Sequence, residues 1–165
     1  MREFVIKTVV SEFDFVEELP AKHAELIFQA REAAVAAYTP YSGFRVGTAL
    51  LLQSGRIITG NNQENAAYPS GNCAERIALF YANSQFPDEA VTAMAVSGIN
   101  KDGKINYNTV YPCGACRQVI LEAEIRYGVN IMLYFDGGSR IRSVSSVRDI
   151  LPLCFDQSAL LRGGA

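Results

Sequence analysis

Two short stretches, Cys73-Ala74-Glu75-Arg76 and Pro112-Cys113-Gly114-Ala115-Cys116-Arg117, decide how this chain reads. Cys113 and Cys116 stand three apart, so on a helix that begins there they are neighbours on one face, within reach of a single ion. Unpaired backbone N–H groups at a helix start carry partial positive charge and favour thiolate over thiol. Cys73 follows Gly71-Asn72, a second candidate helix start. Two helix N-termini converging on one point would supply three thiolates. Three protein ligands leave a tetrahedral zinc with an open position, which separates a catalytic zinc from a structural one. Glu75, two residues beyond Cys73, cannot share a helix flank with it. Side chains of a first turn lean toward the N-terminus, so the two can meet beyond the helix end. The pattern points to metal-assisted hydrolysis with Glu75 handling protons.

Outward from these motifs, helices are predicted over 20–38, 73–83 and 113–127. The first carries an apolar stripe of Leu26, Ile27, Ala30, Ala33, Ala34 and Ala37, and Thr39-Pro40-Tyr41-Ser42-Gly43 ends it. Strands are expected over 2–10, 45–52, 56–60, 91–98, 129–135 and 140–144, with polar loops at 61–72 and 100–108 and a short helix over 146–151. Strands alternate with helices through the middle, which defines an α/β class. The expected organisation is an N-terminal extension over 1–19 that adds a strand, one domain over 20–156, and a Gly-rich, mobile tail over 157–165.

The chain has 165 residues, 49% of them hydrophobic and 19% charged, which suits a single globular domain. No stretch has the length of a membrane span and the N-terminus does not read as a signal peptide, so a reducing, cytoplasmic setting is expected. There, cysteines serve metals or chemistry more often than disulfides. The net charge of −2 and the lack of a basic run argue against nucleic-acid binding and for a small neutral substrate.

Each motif residue also has a plainer reading. With Asn72 as N-cap, Glu75 would complete a capping box. Arg76 and Arg117 each follow a cysteine motif. One or both hydrogen-bond ligand sulfurs, restoring acidity to a zinc that carries three thiolates, or they make weak surface ion pairs. Cys154, within Leu151-Pro152-Leu153-Cys154-Phe155, reads as a buried thiol. As a fourth ligand it would close the zinc and make the protein a non-catalytic zinc module. The only histidine, His23, lies in the first helix, away from the motifs. Asn62 and Glu64 are alternate residues that project to one side of an extended segment, where an amide and a carboxylate can pair with two hydroxyls. Alternatively they bond local backbone as turn residues.

Taken together, Cys73-Ala74-Glu75-Arg76, Pro112-Cys113-Gly114-Ala115-Cys116-Arg117-Gln118 and Asn62-Gln63-Glu64-Asn65-Ala66-Ala67-Tyr68 resemble the cytidine deaminase family. Tyr41-Ser42-Gly43-Phe44-Arg45-Val46-Gly47 and Leu151-Pro152 support the resemblance, which covers roughly residues 20–156. It implies a three-layer α/β/α fold with a central mixed five-stranded sheet. It implies one zinc per subunit, held by Cys73, Cys113 and Cys116, with Glu75 relaying protons as cytidine or deoxycytidine becomes uridine or deoxyuridine in pyrimidine salvage. Phe44 would lie beside the base and the Ala74 backbone would bond its edge. Asn62, Gln63 and Glu64 would bind the sugar. The three-cysteine set is similar to the homotetrameric branch, which implies cross-subunit roles for Tyr68 and Phe155. Deamination of a related nucleoside such as blasticidin S is the enzymatic alternative, and the Asn62/Glu64 pair argues against it. Two departures are the stretch before Pro20 and the long 100–108 loop, which bear on assembly.

Overall fold

The computed structural model describes residues 1–106 and 108–160. Six strands, β1 (Ser11–Phe13), β2 (Arg45–Leu52), β3 (Ile57–Asn61), β4 (Val91–Ile99), β5 (Met132–Asp136) and β6 (Ile141–Val144), form one sheet in the order β1-β6-β5-β4-β2-β3. Only the central β4–β5 pair is parallel. A parallel pair needs a crossover, and α3 (Gly114–Tyr127) provides it between β4 and β5. The other helices are α1 (Ala21–Val35) and α2 (Ala74–Gln85).

Strand alternation sorts the core into two layers. Ala49, Leu51, Ala93, Ala95 and Tyr134 face α1, where Leu26, Ile27 and Ala30 are buried. Leu50, Leu52, Met94, Val96, Leu133 and Phe135 face the other way, against Ala78, Leu79 and Ala82 of α2 and Ile120 and Leu121 of α3. The result is the expected mixed-sheet α/β sandwich. The small residues on the α1 side let that helix lie close to the sheet. A Cβ at Gly47 would come within 2.0 Å of the Ala30 carbonyl oxygen. On the opposite layer a Cβ at Gly60 would sit 2.7 Å from the Ala78 backbone nitrogen, so α2 crosses β3 in backbone contact. That contact sets the height of the α2 N-terminus above the sheet.

The amino-terminal reading needs correction. Residues 2–10 were expected as a strand but have no regular secondary structure, and pairing begins only at Ser11. The short β1 lies antiparallel on β6 and adds a sixth strand to the five expected. Strand propensity in 2–10 is not matched by a partner, because β6 is only four residues long (Ile141–Val144). The helix expected to 38 stops at Val35. Past its C-cap, the Tyr38 N–H donates to the Asn62 carbonyl at 3.1 Å and its carbonyl accepts from Glu64 N–H at 2.8 Å. The helix expected over 146–151 is a single 3-10 turn, Val147–Asp149. Of the expected tail, 157–159 form another 3-10 turn, while 161–165, and with them the expected mobile end, lie outside the described residues.

Two buried carboxylates tie the layers together. Glu124 of α3 accepts from Ile131 N–H, Val147 N–H and the Ser146 hydroxyl, joining the helix to the segments around β5 and β6. Asp136, fully buried at the end of β5, takes a two-pronged contact from Arg31 of α1 (2.7 and 2.9 Å), the Ser97 hydroxyl of β4 (2.7 Å) and the Gly138 N–H (2.9 Å). Burial alone would raise its pKa. The Arg31 and Ser97 bonds outweigh burial and hold it below the ordinary aspartate value.

Asp136→Asn breaks this pair and leaves Arg31 half-buried without its charge partner. The expected cost is about 3 kcal/mol in denaturant unfolding at neutral pH. A folded pKa below the unfolded one stabilises fully above the ordinary aspartate range, and the benefit fades as pH falls through the folded value. The difference between wild type and variant therefore shrinks with acidification. A gap that is constant with pH would contradict the assignment.

Candidate metal centre and adjoining pocket

The two helices meet where the motifs require. Cys73 is the N-cap of α2 and Cys113 the N-cap of α3, while Cys116 lies in the first turn of α3. Asn72 is not the cap. It exchanges both backbone hydrogen bonds with Gln63 (3.0 Å each), which delays the helix by one residue and removes the capping-box reading of Glu75. The same bridge closes the 63–72 segment into a loop and delivers Cys73 to its place.

The Cys73 and Cys113 sulfurs are 3.9 Å apart, those of Cys113 and Cys116 are 3.5 Å apart, and all three lie within 4.8 Å of one another. A tetrahedral zinc with Zn–S bonds of ~2.3 Å spaces its sulfurs by about 3.8 Å. The donor set and its spacing therefore fit zinc. Among the described residues this is the one such group of three or more potential ligands. Hydrogen bonding from Cys116, then from Cys113 and Arg76, lowers the Cys73 thiol to about 5 against the opposing effect of burial, and the same proximity pushes Cys116 up. Cys154 is elsewhere. It packs against the large core and accepts from Arg148 at 3.5 Å.

Glu75, in the first turn of α2, is 4% exposed. Burial raises its pKa, and the charge of Cys73 adds to that; its own backbone N–H and the Cys116 thiol pull the other way. It faces a 220 Å³ pocket with Phe44, Val46, Ala74, Val110, Tyr111 and Cys113 in its wall. A 320 Å³ pocket adjoins it, lined by Gln63, Glu64, Tyr68 and Arg76 among others, and the two share Asn62 and Cys73. The sequence-predicted residues Phe44, Asn62, Gln63, Glu64, Ala74 and Glu75 thus surround one bipartite hollow beside the sulfurs.

Asn62 and Glu64 bond backbone, though not that of their own turn. Asn62 Oδ1 accepts from Val46 N–H at 2.7 Å and its Nδ2 donates to the Phe44 carbonyl at 3.0 Å. Glu64 Oε2 accepts from Tyr41 and Ser42 N–H at 2.9 and 3.2 Å. These bonds hold the 41–46 segment, and with it Phe44, over the pocket. Gln63 Nε2 donates to Asn61 Oδ1 at 2.6 Å.

The two arginines differ. The Arg76 guanidinium lies beside Cys73 and helps lower its thiol, donates to the Gly71 carbonyl at 3.3 Å, and keeps a buried Nε without a hydrogen-bond partner. Arg117 gives its donors to the Pro112 carbonyl (2.9 Å) and the Ile150 carbonyl (2.6 Å). Of the two arginines expected near the sulfurs, Arg76 is the one beside a cysteine, while Arg117 braces the backbone that carries Cys113. Tyr68 and Phe155 are 77% and 60% exposed. His23 is remote, paired through Nδ1 with the Tyr134 hydroxyl at 2.7 Å. The sequence reading did not single out Val110 and Tyr111. Their nearness to Cys113 in sequence was the available signal.

This geometry has close relatives. The family model for the cytidine and deoxycytidylate deaminase zinc-binding region matches residues 20–132. A cytidine deaminase of Halalkalibacterium halodurans is 46% identical over 97 residues, 59% of this chain and 68% of that one. The crystal structure of a cytidine deaminase from Burkholderia pseudomallei superposes with a TM-score of 0.69 at 37% identity, covering 81% of this chain and 98% of that chain. One from Mycobacterium tuberculosis gives 0.62 at 34%, covering 80% and 95%. The fold and site define a zinc-binding deaminase. The chain belongs to the cytidine and deoxycytidylate deaminase family.

Metal analysis tests the centre directly. Cys73→Ser, Cys113→Ser and Cys116→Ser should each lose zinc that survives dialysis, whereas Cys154→Ser should retain the wild-type content. Zinc loss in the Cys154 variant would make it a fourth ligand and the site a closed one.

Proposed function

We propose that this protein catalyses the zinc-dependent hydrolytic deamination of cytidine and deoxycytidine, giving uridine or deoxyuridine and ammonia, in cytoplasmic pyrimidine salvage. The observation that carries the reading is the convergence of the Cys73, Cys113 and Cys116 sulfurs beside a hollow lined by Cys73, Cys113 and the buried Glu75. The three cysteines would hold zinc, and when bound the metal supplies the Lewis acidity that makes water a nucleophile at neutral pH. Glu75 takes one proton from the attacking water and passes it to the ring nitrogen next to the amine-bearing carbon. It then takes the second proton from the hydroxyl now on that carbon and gives it to the departing amine, so that the carbonyl forms as the carbon–nitrogen bond breaks. One water is consumed and one ammonia released, so Glu75 returns to its starting state.

The remaining residues bind and orient. The Phe44 ring packs beside the base, and the Ala74 backbone meets the base edge at the start of α2. The adjoining pocket takes the sugar, with Asn62, Gln63 and Glu64 toward its hydroxyls. The two backbone N–H groups that hold Glu64 both meet Oε2, and Oε1 serves the ligand. Arg76 offsets the negative charge of three thiolates, and Arg117 steadies the Cys113 turn. The catalytic unit is 20–156, with 1–19 an appended segment and 157–165 a tail. Among the described residues no helix is long and apolar enough to cross a membrane.

A homotetramer completes the reading. Tyr68 stands at the pocket rim with most of its ring exposed, and Phe155 is similarly exposed. Large exposed aromatic rings suit contacts with a neighbouring subunit.

Ultraviolet monitoring of cytidine decides the chemistry. Zinc-loaded wild type should turn it over, and Glu75→Gln should keep its zinc while kcat falls by about 10²–10⁴-fold. Zinc-loaded wild type that leaves cytidine unchanged would sink the assignment. For assembly, sedimentation should find a tetramer in wild type and smaller species in Tyr68→Ala or Phe155→Ala. A monomeric wild type that is fully active would remove the cross-subunit roles.

A further inference from the structure

Tyr111 stands between two hollows. On one side it lines the pocket above Glu75. On the other it lines a 440 Å³ cavity together with Val10, Arg117, Phe135, Arg142, Val144 and Ile150. Its ring packs edge-on against Phe135, with centroids 5.1 Å apart, and Tyr111 stays 42% exposed, so packing alone does not hold its far end. Arg142 holds that end: its Nη1 donates to the Tyr111 hydroxyl at 2.6 Å. The Arg142 Nε donates in turn to Glu12 Oε2 at 2.8 Å. Glu12 and Arg142 are directly opposite each other in the β1–β6 register, and Arg140 binds the other Glu12 oxygen at 2.9 Å. The planar guanidinium fork sets its two partners at a fixed angle, so Glu12 on one side determines where Tyr111 sits on the other.

Glu12 precedes residue 20, where the family match begins. The same segment is anchored at two further points: Thr8 donates to the Asp149 carbonyl at 2.6 Å, and Val10 lines the cavity behind Tyr111. The Arg142–Glu12 pair is 40% and 34% exposed, and pairs of that exposure add little to stability. Its consequence is geometric.

We propose that Glu12 and Arg142 are positioning residues for the deaminase site, fixing the Tyr111 ring as a wall of the base pocket, so that the appended N-terminal segment tunes substrate affinity. This rests on the deaminase reading. A wall that touches substrate throughout the reaction contributes uniform binding, which appears in KM and not in kcat. Arg142→Met, Tyr111→Phe and Glu12→Gln should therefore raise KM for cytidine roughly 3–10-fold, leave kcat within about twofold, and retain zinc. Residues acting through one chain of contacts are not additive, so Tyr111→Phe with Arg142→Met should match the worse single variant. Arg142→Lys, which keeps the charge but loses the fork, should restore only part of the affinity. An unchanged KM in Arg142→Met, multiplying effects in the double variant, or loss confined to kcat would overturn the proposal. A second readout does not depend on turnover. In tyrosine-labelled protein, the Tyr111 ring signals, assigned by Tyr111→Phe, should move in Arg142→Met and Glu12→Gln. If wild type fails to deaminate cytidine, the deaminase reading falls. The tether is then judged on those signals alone, and signals that stay in place refute it.

Discussion

Three sulfurs from two distant segments can meet only if two helices begin at the same point above the sheet. The rest of the structure serves that constraint. The parallel β4–β5 pair sends α3 back across the sheet so that it starts near the end of β4. Backbone contact at Gly60 holds α2 at matching height, and the Gln63–Asn72 bridge sets its first residue. Both helix starts then aim unpaired N–H groups at the sulfurs, which suits thiolate ligands. A helix flank could not do this for Cys73 and Glu75 together. The helix end can, because the N-cap and the first turn both open onto the space beyond it.

Much of this was legible in the sequence because the chemistry is local. Cys113-Gly114-Ala115-Cys116 carries its own geometry, and the apolar stripe of α1 carries its own face. The strands at 45–52, 91–98 and 140–144 agree closely with the observed β2, β4 and β6. Less legible was anything decided by a distant partner. Residues 2–10 have strand composition but no neighbour to pair with, whereas Ser11–Phe13 pairs because β6 is beside it. Asn72 has the chemistry of an N-cap and loses the position to a bridge with Gln63. Arg117 has the sequence position to reach a sulfur and spends its donors on carbonyls instead.

Asn62 and Glu64 illustrate a third situation, in which two readings of one residue are compatible. Each side chain bonds backbone in the 41–46 segment, as a structural residue would. That segment carries Phe44, and both side chains also line the pocket next to Cys73. Backbone bonding here preorganises a pocket wall. An amide that is already held by Val46 and Phe44 loses little freedom when a ligand arrives, which favours affinity over adaptability.

The amino-terminal segment extends this logic beyond the family match. Its residues have too little paired backbone to be a strand of consequence for stability, and most of their apolar surface is exposed. What they contribute is position. Glu12 sits opposite Arg142, Arg142 reaches Tyr111, and Tyr111 faces the hollow above Glu75. A short edge strand can therefore act on a buried carboxylate's surroundings without touching a metal ligand. The catalytic centre depends on two helix starts fixed by backbone contacts, while the pocket wall depends on a side-chain tether from a peripheral strand. Change in such a tether reshapes substrate fit without disturbing the placement of the three sulfurs.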